Sequence, residues 1–487
     1  PDNDWIRMTW DWLLTLGLWL YIALLIALSF RILMRRRSVG VTLAWLLLIY
    51  IVPLVGFGLY LLFGERYLGR LRAKRAMVQN RFYNQWLHQV GERDALNTLV
   101  DTPLRPVMEL TLGSLKLPAL RGHNWQLLSE PDSVFDALLD DLNRAENWIF
   151  MEFYILEPEG RVEEILTALT DARARGVAVY LLLDSVGCNR FLKSARHRQL
   201  VKAGVEVLDV LHANVLRMFL QRIDLRQHRK LVSIDNRIAY NGSMNLADPD
   251  WFKKHSGFGP WVDVMVRVEG PMASIIQGTM IFDWEMETGH RLNTALSWPE
   301  AASDGPALMQ FLPTGPAFDE DILLQVLLTA VHNAQRRVII TTPYFVPDES
   351  LLQALKSVAK RGLEVTLLVP RRIDSRLAKY AGRSFYDELL SHGIEILRFE
   401  GGLLHTKSVI IDDHLVLVGS VNLDMRSLWL NFEATLVVDD PAFCNAMVAV
   451  VAEYKKNSHR LDLTQWRKRR YHKRVVENLA QLASPLL

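Results

Sequence analysis

Hydrophobic and polar positions divide the chain into two materials. No charged residue occurs over the 19 positions from Trp12 to Phe30, nor over the 24 from Val41 to Gly64. About 20 apolar residues cross the hydrocarbon core of a bilayer. The pattern therefore predicts two transmembrane helices, at about 10–32 and 40–63, forming a hairpin within residues 1–66. Pro53 is expected to kink the second helix, which membrane helices tolerate. The first stretch does not read as a cleavable signal. It is long, its N-terminal flank carries Asp2, Asp4 and Asp11, and no small-residue cleavage site follows.

Beyond a basic, helical connector at 67–105, the pattern turns into amphipathic helices alternating with apolar strands, and it does so twice. "SVFDALLDDLNRAENWIFMEFYI" is answered by "DILLQVLLTAVHNAQRRVIITTPYF", each a helix running into a strand. "ILTALTDARARGVAVYLLLD" is answered by "LLQALKSVAKRGLEVTLLVP", where Gly176 and Gly362 suit helix C-caps. "KAGVEVLDV" and "SHGIEILRF" follow, and later "WVDVMVRVEGP" parallels "NFEATLVVDDP". Alternating strands and helices predict an α/β fold with buried sheets. The boundaries predicted are 106–300 for the first domain, 301–460 for the second and 461–487 for a basic amphipathic tail.

Composition adds little. Hydrophobic residues make up 50% and charged residues 23%, and the net charge of +2 selects no partner. Two cysteines, Cys188 and Cys444, provide neither a disulfide framework nor a zinc site. Local charge says more. Arg31 and Arg35 to Arg37 favour a cytoplasmic turn between the two spans, whereas Arg66, Arg70, Arg72, Lys74 and Arg75 favour a cytoplasmic C-terminal side. Both cannot hold for a two-span hairpin. The larger group places the catalytic domains in the cytoplasm.

The repeat carries chemistry. "QHRKLVSIDNRIAYNGSMN" ends at Asn245 and "LHTKSVIIDDHLVLVGSVN" at Asn422, with identical spacing of His, Lys, Asp and Gly-Ser-x-Asn. On a strand His228 and Lys230 share one face, as do His405 and Lys407. Two lysines with Asn245 and Asn422 make an anion pocket, and Ser243 and Ser420 belong to its rim. One neutral imidazole can attack phosphorus while the other, as imidazolium, protonates the leaving oxygen. A phosphohistidine splits one hard displacement into two easier ones. The aligned carboxylates Asp263 and Glu433 are candidates to fix the second ring nitrogen of the histidines. Asp235 and Asp412 count with the catalytic signature, although at a strand end they read as backbone-bonding groups. A lysine beside each histidine opposes metal binding, so no metal and no cofactor are expected. Two units side by side would bring the two copies to one cleft.

These segments resemble the phospholipase D superfamily, through "HRKLVSID", "GSMN", "HTKSVIID" and "GSVN". The chain is similar more closely to the A-type bacterial cardiolipin synthases, through "GSMNLADP", "FDWEMETG", "TTPYFVP", "FEGGLLHTKS", "GSVNLDMRSLWLNFE" and the two-helix anchor with "RILMRRR". The resemblance implies two tandem phospholipase D-like α/β/α sandwich domains with pseudo-twofold symmetry behind a multi-pass anchor in the bacterial inner membrane. It implies reversible transfer between two phosphatidylglycerol molecules, giving cardiolipin and glycerol. It also implies His228 as nucleophile and His405 as acid, then base; the residues alone permit the reverse. Hydrolysis, or another phospholipid donor or acceptor, shares every catalytic residue. Nothing in the chain points to nucleic acid, and a homodimer is compatible with it.

Transfer rather than hydrolysis needs a site that excludes water at the bilayer surface. Arg217 and Arg222, in the basic and apolar stretch before the first motif, are lipid-surface candidates, as are Arg467, Arg469 and Arg470 in the tail. Arg371, Arg372 and Arg376 are candidates for a second phosphate.

Overall fold

The computed structural model describes residues 3–35, 39–65, 68–93, 102, 105–212, 222, 224–292, 305–318 and 321–482. The chain divides into two compact units. One comprises the first 69 residues with a segment at 214–224, and the other comprises the rest.

The small unit is helical. Helix α1, Asn3–Met34, holds a 25-residue apolar stretch, Trp10–Met34, of mean hydropathy 2.3. Its side chains from Trp10 to Leu20 are exposed, as suits a helix surrounded by lipid. The second apolar stretch departs from the expected single span at 40–63. It forms two helices, α2 (Val39–Ile51) and α3 (Pro53–Phe63), broken at Val52. Proline lacks an N–H and clashes with the preceding turn, so the predicted kink becomes a full break.

The large unit holds two sheets of matching order. The first-half strands are β1 (Asn124–Leu128), β2 (Trp148–Phe153), β3 (Ala178–Asp184), β4 (Glu206–Val210), β5 (Lys230–Ile234), β6 (Ile238–Gly242), the short β7 (Trp261–Val262) and β8 (Met265–Glu269). The second half supplies β9 (Leu308–Thr314), β10 (Arg337–Thr341), β11 (Glu364–Pro370), β12 (Glu395–Phe399), the short β13 (Leu403–Leu404), β14 (Ser408–Ile411), β15 (Leu415–Gly419), β16 (Glu433–Asp439) and β17 (Ser458–Arg460). One sheet runs β1-β8-β6-β5-β2-β3-β4 and the other β9-β16-β15-β14-β10-β11-β12-β17. Apart from the edge strand β17, the orders coincide strand for strand. In both, three parallel strands joined by helices meet an antiparallel hairpin that begins at the His-x-Lys motif.

Each half has its own apolar core. Helix Pro131–Arg144 shows how the pattern builds it. Val134, Phe135, Leu138 and Leu142 fall on one stripe and are buried, while the opposite face is acidic. Gly176 and Gly362 close their helices with φ of 96° and 85°, the left-handed conformation that glycine adopts without penalty. Helix Pro271–Thr288 is buried along most of its length and packs against strands of both sheets. β7 and β13 pair in parallel across the halves.

Candidate active site

The motif histidines sit where the two halves exchange backbone. The His228 amide donates to Phe432 O at 2.9 Å, and that register sets the next residue, Glu433, beside the imidazole. His228 Nδ1 lies 2.9 Å from Glu433 Oε2 and 3.0 Å from Oε1. The second copy repeats this. The His405 amide donates to Val262 O at 2.8 Å. The next residue, Asp263, takes the ring, with Nδ1 and Oδ1 2.7 Å apart. Each histidine is therefore oriented by a carboxylate from the other half. An ionised carboxylate only accepts, so Nδ1 carries the proton and Nε2 keeps its lone pair.

The residue between His and Lys fastens this exchange. Arg229 is fully buried. Its Nε donates to Glu433 O at 2.9 Å, its Nη2 to Thr314 O at 3.1 Å, and it pairs with Asp283. Phe318 and Phe432 lie within 5.6 Å of its guanidinium carbon, at cation–π range. In the second copy Thr406 takes the place, its hydroxyl donating to Val262 O at 3.1 Å. In both copies, then, the middle residue grips backbone at or next to the orienting carboxylate.

The lysines are buried. Lys230 Nζ donates to His228 O at 2.6 Å and Lys407 Nζ to His405 O at 2.5 Å. Burial pulls Lys230 down to about 8, against Glu433 and Asp263, and pulls Lys407 down to about 7, with Lys230 adding to the effect. Burial likewise pulls both imidazoles down to about 4. Their carboxylates oppose this, and the lysine of each copy acts on the histidine of the other as well as on its own. Glu433 and Asp263 stay below their ordinary values: burial would raise them, but the histidines, the lysines and the hydroxyls of Ser420 and Ser243 outweigh it. With neutral imidazoles, two ammonium groups balance two carboxylates. A phosphodiester entering with one negative charge makes room for one imidazolium.

The remaining motif residues divide. Ser420 donates to Glu433, and Asn431 Nδ2 reaches the same carboxylate at 3.2 Å. Ser243 Oγ accepts from Val264 N at 3.0 Å. Asn245 Oδ1 accepts from Ile155 N at 3.2 Å, which leaves its buried Nδ2 without a partner among the described residues. The buried amide oxygen of Asn422 is likewise unpaired among them, and rotating that amide would turn a donor the same way. Asp235 and Asp412 do not join this cluster. At φ of 54° each caps the approach to the first motif-flanking strand. Asp235 accepts from the backbone N–H of Glu146, Asn147 and Trp148 at 2.7–2.9 Å, and Asp412 from those of Gln335, Arg336 and Arg337 at 2.7–3.2 Å.

Two aromatic rings line the site that the motif did not announce. Tyr154 meets His228 edge-on, with centroids 4.9 Å apart, and Trp261 lies 4.3 Å from His405. Their apolar faces account for part of the burial that lowers the imidazoles. Lys253, 5.3 Å from the Trp261 ring, pairs with Asp374 at 3.2 Å, and Asp374 accepts from Tyr344 OH at 2.5 Å. The first signal for Trp261 was in the sequence, two residues before Asp263; Tyr154 had none. Among the described residues, no group of three or more His, Cys, Asp or Glu side chains is placed to hold a metal.

The arginine candidates fare differently. Arg217 lies outside the described residues. Arg222 is turned to Asp224, Nη2 to Oδ2 2.9 Å, rather than left free for lipid. Arg467 pairs with Asp387 at 3.1 Å and donates to Ser391 at 2.8 Å. Arg469 is an internal tie: it stacks 3.4 Å above the Trp466 ring and pairs with Glu477 at 2.6 Å. The cation–π contact and the buried carboxylate outbid solvent for it. Arg470 remains exposed. Arg371 pairs with Glu400, and Arg372 donates to Gly257 O. The tail itself is helix Tyr471–Leu482. It buries Glu477 and Ala480 and exposes Tyr471, Val475, Leu479 and Leu482.

Twin sheets with crossed histidine–carboxylate pairs define a phospholipase D-like protein. The chain belongs to the family described as "Cardiolipin synthase, PLD-like domain", which matches residues 138–256 and 327–456. Residues 23–65 match "Phospholipase_D-nuclease N-terminal". It is 44% identical over 484 residues to cardiolipin synthase A of Edwardsiella ictaluri (strain 93-146), and 45% identical over 487 residues to that of Yersinia pseudotuberculosis serotype IB (strain PB1/+). In both cases 98% of each chain is covered. Among solved structures it is similar in fold to phosphatidylserine synthase of Haemophilus influenzae Rd KW20, with a TM-score of 0.56 at 14% identity. That match covers 78% of this chain and 99% of the other.

Proposed function

We propose that this chain is a membrane-associated phosphatidyltransferase that makes cardiolipin from two phosphatidylglycerol molecules. The family supports the substrate, and the crossed pairs His228–Glu433 and His405–Asp263 support the chemistry. The free Nε2 of His228 attacks the phosphorus of the first lipid. The bond to the headgroup glycerol breaks, and the leaving oxygen takes a proton from His405. His405, now neutral, removes a proton from the glycerol hydroxyl of the second lipid. That oxygen attacks phosphorus, the N–P bond breaks, and cardiolipin leaves. One phosphodiester replaces another, so the exchange needs no activated donor and runs both ways. Lys230, Lys407 and the Asn245 amide hold the phosphate oxygens through both displacements.

The outward face of helix Tyr471–Leu482 meets the anionic lipid surface in this reading. Tyr471, Val475, Leu479 and Leu482 are exposed on the side away from buried Glu477 and Ala480. Arg474 flanks them on the helix, the exposed Lys468 and Arg470 precede it, and the only carboxylate of the helix is turned inward to Arg383 and Arg469. An apolar stripe with cations and no exposed anion suits phosphatidylglycerol headgroups, whereas a second copy would set cation against cation.

The test is a product assay on the full chain given phosphatidylglycerol alone. Cardiolipin with equimolar glycerol is expected. Phosphatidic acid as the sole lipid product would make it a hydrolase, and a requirement for a nucleotide-activated lipid would overturn the mechanism.

A further inference from the structure

We infer that α2 and α3 form a re-entrant hairpin, which enters the bilayer and returns to the face it left, so that α1 is the single spanning helix. The observation is where the chain comes back to. Glu65, two residues past α3, accepts from Arg31 Nη2 at 2.7 Å and from Arg35 Nη2 at 3.1 Å, at the end of α1 from which α2 departs. Tyr60 OH adds a bond to the same carboxylate at 3.1 Å. Had α3 continued the direction of α2, Glu65 would stand roughly 39 Å from Val39 at 1.5 Å per residue. The chain must therefore reverse between them.

The contacts inside the unit follow an antiparallel pairing. Trp45 meets Tyr60 edge-on at 5.3 Å. Gly56 approaches the backbone of Leu48 and Ile49 so closely that a Cβ would stand 2.7 Å from Leu48 O and 2.8 Å from Ile49 Cα. Only glycine allows two helices to touch there. Leu28 and Ile32 of α1 pack with Ile49 and Tyr60. The break satisfies its own backbone: Val52 N–H donates to Leu48 O at 3.0 Å, Gly56 N–H to Val52 O at 2.7 Å, and Pro53 has no N–H. A reversal inside hydrocarbon needs such internal bonding.

Length agrees. α2 has 13 residues and α3 has 11. These rise about 20 Å and about 16 Å, against a hydrocarbon core of roughly 30 Å. Neither crosses it.

Charge then falls into place. Arg31 and Arg35 stand with Glu65 on the face from which α2 departs, and the opposite face receives the start of α1. A two-span hairpin would bring the end of α3 out on the face opposite Arg31 and Arg35; a re-entrant one returns it to their side, where the basic run from Arg70 to Arg75 follows in sequence. That side is cytoplasmic by the positive-inside rule. The inference rests on membrane association, not on the reaction.

The test is cysteine labelling of the full chain in sealed vesicles of both orientations. Both native cysteines are buried. Single cysteines are introduced as Val39→Cys at the start of α2, Leu54→Cys at the break and Glu453→Cys on the exposed surface of the large unit. A membrane-impermeant maleimide should label Val39→Cys and Glu453→Cys from the same side, and Leu54→Cys from neither. Labelling of Val39→Cys and Glu453→Cys from opposite sides would restore two spans, and labelling of Leu54→Cys from the far side would mean the hairpin crosses; either overturns the proposal. Glu65→Gln, which removes the charge of the clamp, should make Leu54→Cys more reactive. Unchanged protection would show that the clamp does not hold the reversal.

Discussion

His228 and Glu433 stand 205 residues apart in the chain and 2.9 Å apart in space. The pair exists only because Phe432 takes the backbone of His228, and a mirror arrangement joins His405 to Asp263. Each half holds an incomplete site.

Removing either carboxylate charge should therefore damage the histidine of the opposite half. Glu433→Gln and Asp263→Asn each permit the wrong imidazole tautomer, and the cost is expected to be on the order of 10²–10⁴ in kcat, with lipid binding little changed. Steady-state kinetics on mixed micelles would decide. A loss confined to KM would mean that the carboxylates bind substrate instead.

The roles of the two histidines separate with a substrate that has a good leaving group. His405→Ala should still form a covalent phosphoenzyme from a nitrophenyl phosphodiester, which needs no acid, whereas His228→Ala should form none. Intact mass spectrometry after a quench reads this directly, and adduct on His228→Ala alone would exchange the assignments.

The lysines set the alkaline limb of the pH profile. Burial holds Lys407 at about 7 and Lys230 at about 8, so the positive charge that holds phosphate is present below those values and lost above them. The imidazoles at about 4 are neutral above that value and unable to attack below it. Because His405 must also deliver a proton, kcat/KM of the free enzyme should peak near about 4, fall as the pH rises and that proton is lost, and fall more steeply above about 7–8, where the lysine charge goes as well. Lys407→Arg, slower because guanidinium does not reproduce the ammonium geometry, should move the alkaline limb upward.

Asp235 and Asp412 predict stability effects rather than catalytic ones. Each carboxylate accepts three backbone N–H groups. Asp235→Ala should cost about 2–3 kcal/mol by leaving those donors unpaired. Thermal unfolding should show a lowered Tm, with kcat per folded molecule within about twofold of the parent, the margin of a bystander.

The tail helix gives the last prediction. A polarity-sensitive dye on Leu479→Cys should shift to the blue in phosphatidylglycerol nanodiscs and stay in water in phosphatidylcholine ones. Charge reversal at Arg470 and Arg474 should abolish the shift. A shift that follows protein concentration instead of lipid charge would point to self-association.

Much of this was legible in one dimension. Period and spacing gave the two halves, their buried strands and the duplicated His, Lys, Ser and Asn, because local residue order dictates which side chains share a strand face. Aligning the repeats even singled out Asp263 and Glu433. That they cross over could not be read, since it depends on short backbone contacts at Phe432 and Val262 between segments distant in the chain. The role of the aromatic walls, Tyr154 and Trp261, became visible only once burial placed them against the imidazoles. The arginine candidates show the opposite error. A basic run looks uniform in sequence, yet Arg469 turned inward to Trp466 and Glu477 while Arg470 stayed out. The second apolar stretch is the sharpest case. Its hydropathy made it a candidate for lipid, and Pro53 a candidate for a bend. The direction of the bend was decided by Gly56 against Leu48 and by Glu65 against Arg31, because hydropathy measures how well a segment dissolves in a bilayer and only packing and ion pairing fix where it comes out.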